Sequence, residues 1–571
     1  MDLKLIVEHK HIFGSPTHSL DCLLKDIEKE LLVRIASNLI KGFYDDIHFF
    51  CTSGKFFSTP NSDFAYHLLL LLRYMNSKRT ITIFNTHSSL FFLEKVLSMP
   101  NANVDNRETQ TEINLLKAYL TLNQELVEKE NKLIEKIETL NAEEKLAAYL
   151  FYQPLAYSDF VNYDYGLEVM AQTVKAILFF KFCETHLSEH LRLFCEKYNK
   201  ENWKEYLKSY MFIPYTMFLN KSKEISIISL KKEDADFNDN YSFLDKFCIN
   251  NENVLNDKDF TKVRMYPLYK ESDTNYIVLF DLFTAERIYR SLYFDFREIN
   301  DKINETKEAK DRLTNFRQFI TDNFSERSIL YDLLDKIFSG DDFINLKGSD
   351  YLNAEPKIKG EPDYYVRKDN NIFLFESKDN LMNAEIKSSY DYDKITEDLD
   401  KKLNQKKGIK QICNNIDKIL KKQLPIDSDY DKDNVNIYPI LVLHERIYSN
   451  IGLNYILNKW FEDKVKSIKD SIPNPERIRP LVIIDIDTFI LLQNVEQGDD
   501  FDFKKLLENY YNKTENITIG EDEIKDESKL RKAFISKYYS FKDFVEPIIK
   551  KKIAEKGAKT FFKDLGMELF K

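Results

Sequence analysis

One stretch of this chain constrains its fold more than any other, because it specifies a β-hairpin with a defined register. The stretch runs from Glu361 to Lys378 and reads EPDYYVRKDNNIFLFESK. Two apolar and aromatic runs, residues 364–366 and 372–375, flank a cluster of turn-forming residues, KDNN. Such a pattern is typical of two antiparallel strands joined by a tight turn. The sequence therefore predicts a hairpin here.

The length of the turn predicts which side chains face each other. If Asp369 and Asn370 form a two-residue loop, counting outward along both strands brings Asp363 opposite Glu376. Directly opposed residues share one face of the sheet, with Cβ atoms about 4.5 to 5.5 Å apart. Lys378 lies two residues beyond Glu376 and shares that face. Two carboxylates and one ammonium are therefore expected to converge.

This trio suits phosphodiester hydrolysis. Like charges directly across a ladder are destabilising, and a divalent cation between the carboxylates removes that repulsion. Oxygen ligands favour Mg²⁺ or Mn²⁺. Such an ion polarises a phosphoryl oxygen and lowers the pKa of a bound water, while a nearby lysine orients that water or offsets charge on the phosphorane. A surface hairpin with a salt bridge is the plain alternative.

These residues resemble the PD-(D/E)XK, or restriction-endonuclease-like, nuclease superfamily. The matching motif reads Pro362-Asp363, then Glu376-Ser377-Lys378, and the resemblance covers about residues 320–500. It implies an α/β domain with a central mixed sheet flanked by helices. It also implies that Asp363 and Glu376 hold Mg²⁺ (or Mn²⁺), that the Ser377 carbonyl adds a ligand, and that Lys378 assists the attacking water.

Glu326 and Gln411 gain candidate catalytic roles from the same resemblance. A helix reading SERSILYDLLDKIF is predicted from Ser325, and Glu326 lies on its apolar stripe. Glu326 is either an extra carboxylate for the site or an ordinary first-turn acid in a helix capped by Ser325. Gln411 lies in a long helix predicted over residues 394–422, where similar nucleases often carry a Gln or Lys that faces the active site.

The helix predicted over residues 394–422 also carries a concentrated basic surface. Such a surface can neutralise phosphates without reading base sequence, although a solvated lysine-rich face is an equally good interpretation. The candidate nucleic-acid-binding residues are Lys401, Lys402, Lys406, Lys407 and Lys410.

Two further groups of residues give weaker indications of a metal or catalytic site, and both include histidines. Cys183, His186 and His190 share one predicted helix face, but seven residues span roughly 10 Å along a helix, too far for one ion to bind all three. A half-buried helix face is the expected reading. His444 and Glu445 end a buried strand predicted over residues 436–444, and neither is assigned a role.

Composition excludes several classes of protein. The net charge of −11 argues against a polyanion binder by bulk charge, so any nucleic-acid surface must be local. The six cysteines contain no CxxC pair, which argues against a zinc ribbon or a disulfide framework. Neither GxxxxGK[ST] nor GxGxxG occurs, so no nucleotide motor is recognisable. We expect a soluble cytoplasmic protein without a signal peptide or membrane partner.

The 571 residues are expected to form several domains. The predicted segments are a mixed α/β unit over residues 1–105, a helical region over 106–222, a small α+β unit over 223–300, the nuclease-like domain over 301–500, and a basic helical extension over 501–571. The expected fold class is thus a largely helical α+β N-terminal region followed by an α/β restriction-endonuclease-like domain.

The expected function is that of a metal-dependent nuclease, most simply a DNA endonuclease, with the N-terminal region used for recognition or regulation. By resemblance, restriction or antiviral defence is a plausible setting. A ribonuclease and a non-catalytic nucleic-acid-binding or scaffold protein that keeps the nuclease fold remain alternatives. A homodimer and a separate partner protein are both left open.

Overall fold

The computed structural model describes most of the chain in two compact units. The described residues are 4–100, 109–220, 222–250, 259–352, 360–405, 407–424, 427–493, 502–515 and 534–564. The first unit comprises residues 1–132, 163–169 and 192–295, and the second unit comprises residues 133–162, 170–191 and 296–571, within those described ranges.

Helices dominate both units. The α-helices of the first three hundred residues are Lys10–Phe13, Leu20–Leu24, Lys29–Ile40, Ile47–Thr52, Ser62–Lys78, Thr86–Ser98, Thr109–Ile137, Ala142–Phe151, Ser158–Val161, Tyr165–His186, Ser188–Lys197, Trp203–Leu219, Phe237–Asp245, Thr261–Met265, Asp281–Tyr289 and Leu292–Thr306. Those that follow are Phe316–Ile320, Tyr331–Ile337, Gly348–Leu352, Ala384–Lys387, Tyr392–Leu399, Ile409–Leu420, Leu453–Lys469, Ile486–Leu492, Phe503–Thr514, Phe541–Lys556 and Ala558–Asp564.

The strands of the first unit are short within its described residues. Two of them, β1 (Leu5–Ile6) and β2 (Ile81–Thr82), pair in parallel. Three others form an antiparallel sheet of order β3-β5-β4, and their bounds are Ile227–Ser229 for β3, Leu268–Lys270 for β4 and Asn275–Val278 for β5. The unit is therefore held together chiefly by helix packing.

The second unit is built around a five-stranded mixed sheet of order β10-β9-β8-β7-β6. The strands are β6 (Ile344–Lys347), β7 (Tyr364–Lys368), β8 (Asn371–Lys378), β9 (Asn436–Leu443) and β10 (Val482–Asp485). The neighbours β8, β9 and β10 run parallel to one another, whereas β7 is antiparallel to both β8 and β6. An α/β arrangement with a mixed sheet and flanking helices is thus confirmed at this coarse level.

The predicted hairpin is present with the predicted register. Tyr364 pairs with Phe375 and Lys368 pairs with Asn371, so Asp369 and Asn370 form the two-residue loop. Asp369 adopts φ +52°, a left-handed conformation that Asp tolerates better than most residues because its short side chain can hydrogen-bond locally. The loop chemistry that predicted the turn therefore also accounts for its geometry.

Burial explains why β8 and β9 read as continuous apolar runs. Residues 372–376 of β8 and 437–443 of β9 are all buried. Strands in a parallel region are covered on both faces, so alternation of polar and apolar residues is lost. Aromatic rings add to the cover on one face, where Phe338 lies 5.9 Å from Phe373 between ring centroids. The rigid core of the second unit therefore lies directly beside the hairpin.

The prediction of one long helix over residues 394–422 is wrong. It is broken into Tyr392–Leu399, a π-helical segment Asp400–Gln405, and a separate helix Ile409–Leu420. The break falls at Gly408, which has φ +64°, and a Cβ at that position would lie 2.4 Å from the carbonyl oxygen of Leu403. Only glycine accepts both conditions without strain.

The helix boundary predicted at Ser325 is also wrong. The helix begins at Phe316, where the side chain of Asn315 accepts a hydrogen bond from the backbone N–H of Gln318. It continues through a π-helical segment, Thr321–Leu330, into Tyr331–Ile337. Ser325 is therefore buried inside the helix and is no cap. The charged residues 300–322 are also expected to form one helix, and this prediction is wrong because the helix Leu292–Thr306 ends before the helix Phe316–Ile320 begins.

Asp427 ties the loop before β9 to the sheet. Its carboxylate accepts hydrogen bonds from Arg367 Nε at 2.7 Å, Arg367 Nη2 at 3.0 Å and Tyr365 OH at 2.7 Å. Burial disfavours the ionised form of Asp427, but these hydrogen bonds outweigh burial and lower its pKa. A group whose pKa is lowered by folding contributes stability above its unfolded pKa and loses that contribution as the pH falls through its folded pKa.

Asp427→Asn is expected to lower the free energy of unfolding by about 3 kcal/mol at pH 7, because it leaves the buried Arg367 guanidinium without a counter-charge. Urea unfolding monitored by circular dichroism measures the change. The difference from the wild type should begin to shrink below about pH 4, where Asp427 becomes protonated in the unfolded chain, and should be lost only below the lowered pKa of Asp427 in the folded protein. The control is Asp433→Asn at an exposed position. Equal urea midpoints for wild type and Asp427→Asn at pH 7 would contradict this account.

Candidate active site

The motif residues converge where β8 ends and β7 begins. Asp363 directly precedes β7, and its Oδ2 accepts a hydrogen bond of 2.7 Å from the backbone N–H of Ser377. The Lys378 ammonium lies 2.5 Å from Glu376 Oε1 and 3.6 Å from Asp363 Oδ2. It also donates to the Ser377 carbonyl oxygen at 2.8 Å. The three groups predicted from the hairpin register therefore lie close together, and the Ser377 carbonyl, which the resemblance adds, lies with them.

The electrostatics of this cluster are dominated by burial and by excess negative charge. Glu376 is fully buried, and burial together with the neighbouring Asp363 carboxylate raises its pKa to about 8. Burial alone would lower the pKa of Lys378, but Glu376 and Asp363 outweigh it and raise that pKa to about 12. The ammonium is thus firmly charged, and one ammonium does not fully compensate the buried acids.

Glu326 is a third acid at this cluster. It lies in the π-helical segment Thr321–Leu330, and Tyr331 OH donates a hydrogen bond of 2.9 Å to its Oε1. Burial and the Asp363 carboxylate raise the pKa of Glu326, and Lys378 partly offsets the rise. Glu326 therefore interacts electrostatically with two motif residues, Asp363 and Lys378. The alternative, a first-turn acid in a helix capped by Ser325, is wrong because both residues lie inside the helical segment.

The oxygen atoms of this cluster fit a hard divalent cation. Glu376 Oε2 is buried and has no hydrogen-bond partner. Glu376 Oε1 and the Ser377 carbonyl oxygen already turn towards one cation, the Lys378 ammonium. Within the described ranges no three His, Cys, Asp or Glu side chains converge to hold a metal ion by themselves. A metal here would therefore be held by Asp363, Glu376 and the Ser377 carbonyl, with water completing the shell.

A second polar cluster lies behind the motif, on the other face of β8. Strand alternation turns the Ser377 side chain away from Glu376, and its Oγ is hydrogen-bonded to His444 Nε2 at 3.0 Å. Asp379 accepts hydrogen bonds from Arg317 Nη2 at 2.5 Å and from Ser325 Oγ at 2.6 Å. Burial lowers the pKa of His444, which keeps its imidazole neutral at pH 7. The motif strand is therefore supported from behind by buried hydrogen bonds.

These supporting residues were missed from sequence. His444 was noted only as a strand-end residue, and Asp379, Arg317 and Ser325 were given no role in the site. The one available signal is position: Asp379 directly follows β8, and His444 directly follows β9. Because β8 and β9 are parallel, polar residues after both strands meet at one edge of the sheet.

Gln411 lies in the first turn of the helix Ile409–Leu420. Its Oε1 accepts a hydrogen bond of 3.2 Å from the backbone N–H of Gly408, at the start of the helix Ile409–Leu420. Through this contact the Gln411 side chain caps the N-terminus of the helix. A role towards the carboxylates stays a prediction.

The predicted basic surface is partly exposed. Lys402 is engaged with Asp398 Oδ2 at 2.7 Å and with the Leu381 carbonyl at 2.9 Å, which leaves it less free for phosphate. Lys406 lies outside the described residues. The remaining three candidates are exposed, and they are Lys401, Lys407 and Lys410.

Cys183 and His186 lie in the helix Tyr165–His186, whereas His190 lies in the next helix, Ser188–Lys197. The helix ends at His186, which is exposed, whereas Cys183 and His190 are buried. His190 Nε2 is hydrogen-bonded to Asn300 Oδ1 at 3.2 Å. The set is thus partly buried, as expected, but the prediction of a single helix face is wrong because a helix boundary falls between His186 and His190.

Comparisons with protein-family models, curated protein sequences and solved structures found no match for this chain. In addition, none of the helices in the described ranges combines the length and the apolar character needed to cross a membrane.

Proposed function

We propose that the chain is a divalent-cation-dependent phosphodiesterase of the restriction-endonuclease-like type, and that its substrate is DNA. The observation that carries the proposal is the convergence of Asp363, Glu376, the Ser377 carbonyl and Lys378 at the end of β8. Bound there, Mg²⁺ or Mn²⁺ would supply Lewis-acid activation of a phosphoryl oxygen and of a water molecule. Both the residue types and their order match the family that the sequence resembles.

Each motif residue then has a distinct role. Asp363 and Glu376 hold the cation, and the hydrogen bond from the Ser377 N–H keeps Asp363 oriented towards it. Lys378 orients the attacking water and offsets charge on the phosphorane through its ammonium. Glu326 would add negative charge beside Asp363 and could orient a water molecule there.

DNA is the favoured substrate because of the family resemblance, since metal chemistry at phosphorus does not distinguish the sugars. The exposed lysines near residue 400 would contact the phosphate backbone without reading base sequence. The net charge of −11 implies that such contacts are confined to a local surface.

A digestion assay tests the proposal. Linear and circular DNA and a matched RNA are incubated with the full chain in Mg²⁺, Mn²⁺ or EDTA. We expect DNA cleavage with either cation and none with EDTA. Cleavage of RNA alone would replace the DNA assignment with a ribonuclease. Absence of cleavage of every substrate, with intact binding of DNA, would favour the rival function, a nucleic-acid-binding protein that keeps the fold without turnover.

Replacing the three exposed lysines with alanine should weaken DNA binding and reduce its salt dependence. Each lost phosphate contact is expected to lower the slope of log K against log salt by about 0.9. Fluorescence anisotropy over a salt series measures this slope. The matched control replaces three exposed lysines elsewhere in the second unit, Lys432, Lys464 and Lys466. Equal slopes for the two triple variants would remove this surface from the interface.

A further inference from the structure

The backbone of Ser377 makes two hydrogen bonds at the candidate site. Its N–H donates to Asp363 Oδ2 at 2.7 Å, and its carbonyl oxygen accepts from the Lys378 ammonium at 2.8 Å. The same carbonyl is the backbone ligand of the proposed cation. The backbone of one residue, Ser377, therefore contacts one proposed ligand through its N–H and supplies another through its carbonyl oxygen.

On the other face of β8, a side-chain hydrogen bond restrains the backbone of Ser377. The Ser377 hydroxyl is hydrogen-bonded to His444 Nε2 at 3.0 Å, and His444 is only 9% exposed. His444 directly follows β9, whose last residue, Leu443, pairs with Lys378. Strand ends lose their ladder partners and fray, so a buried hydrogen bond at this place restrains the last residues of β8.

A nucleophilic serine is the competing explanation for this contact, because Ser377, His444 and Asp379 are the residue types of a hydrolytic triad. That reading requires Asp379 to orient the imidazole. Both Asp379 carboxylate oxygens are instead occupied, Oδ1 by Arg317 and Oδ2 by Ser325. In the parts of the chain that the structure describes, no hydrogen bond joins Asp379 to His444.

We propose that His444 is a positioning residue for the cation site, acting through the Ser377 hydroxyl on the backbone conformation of Ser377, and so on the two peptide units on either side of its Cα. His444 touches neither the cation nor the substrate. It keeps the Ser377 N–H directed at Asp363 and the Ser377 carbonyl directed at the cation. Groups that orient metal ligands from behind are typically worth 10- to 100-fold in metal affinity or activity. This inference rests on the proposed function.

A double-mutant cycle tests the inference, using His444→Phe, Ser377→Ala and the combined variant. Mn²⁺ affinity is measured by titration calorimetry without nucleic acid, and kcat and KM are measured on DNA. We expect each single variant to bind Mn²⁺ about 10- to 100-fold more weakly and to lose kcat with little change in KM. The combined variant should resemble either single variant, because both remove the same hydrogen bond. His444→Gln, which retains a hydrogen-bonding side chain, should recover part of the affinity.

The control is His190→Phe, because His190 is a similarly buried histidine in the second unit with an Asn300 partner. It should leave Mn²⁺ affinity unchanged.

If wild type binds Mn²⁺ and cuts DNA but Ser377→Ala and His444→Gln bind Mn²⁺ as wild type does, the inference is wrong and the proposed function stands. Additive losses in the cycle would equally overturn it. A wild-type chain that binds no Mn²⁺ would defeat both. Should His444→Phe fail to fold, Ser377→Ala and His444→Gln decide the matter.

Discussion

Asp363→Asn is expected to reduce the rate of DNA cleavage by about 10³-fold or more while leaving the fold intact. The substitution keeps the size of the side chain and can keep the hydrogen bond from the Ser377 N–H. It removes one of the two anionic ligands of the proposed cation, and electrostatic groups of this kind are typically worth 10²- to 10³-fold each even without a change in metal occupancy. Single-turnover cleavage at saturating Mg²⁺ measures the effect.

The same hairpin offers a matched control, Asp369→Asn. Asp369 lies in the two-residue loop at φ +52°, a conformation that Asn adopts as readily as Asp. The control therefore makes the same chemical change on the same hairpin without touching the site. We expect wild-type activity from Asp369→Asn. Asp363→Asn with activity near that of Asp369→Asn would show that Asp363 is no ligand of a catalytic cation.

Lys378→Met is expected to separate catalysis from cation binding. The Lys378 ammonium contacts Glu376 Oε1 and the Ser377 carbonyl, two of the oxygen atoms that the cation would use. Removing the ammonium should lower the cleavage rate by about 10²- to 10³-fold, because its positive charge no longer assists the reaction. Mn²⁺ affinity should be retained or increased, because the cation no longer competes with an ammonium for these oxygens.

Stability provides a second readout for Lys378→Met. Glu376 is fully buried, so loss of the ammonium leaves an acid without a counter-charge, and the metal-free variant should have a lower Tm. Added Mn²⁺ should raise the Tm of the variant more than that of wild type, since ligands that bind only the folded state stabilise it. Lys368→Met, at an exposed pair with Asp342, is the control. Weaker Mn²⁺ binding by Lys378→Met would contradict this view of the site.

Local sequence was sufficient to predict the hairpin and the motif cluster. The turn chemistry at Asp369 and Asn370 determines the register, and the register brings Asp363 to Glu376. Alternation along β8 then places Lys378 with them. Each step depends on residues less than about twenty positions apart, where turn type and strand period are strong constraints.

Contacts between distant segments could not be predicted in this way. The hydrogen bond from Ser377 to His444 joins two strand ends 67 positions apart and depends on β8 and β9 being neighbours. The π-helical segment that carries Glu326 leaves no clear signal in periodicity, since it differs from an α-helix by a small change in residues per turn. Gly408 did give a signal for the helix break, but apolar periodicity on both sides of it favoured one continuous helix.

Anomalous scattering from a crystal of the protein grown with Mn²⁺ tests most directly whether Asp363, Glu376 and the Ser377 carbonyl bind one divalent cation. We predict a single strong anomalous peak within bonding distance of all three groups, with the Lys378 side chain displaced from Glu376. A crystal with Mn²⁺ bound elsewhere, or with Lys378 still seated between these oxygen atoms at saturating Mn²⁺, would contradict the account.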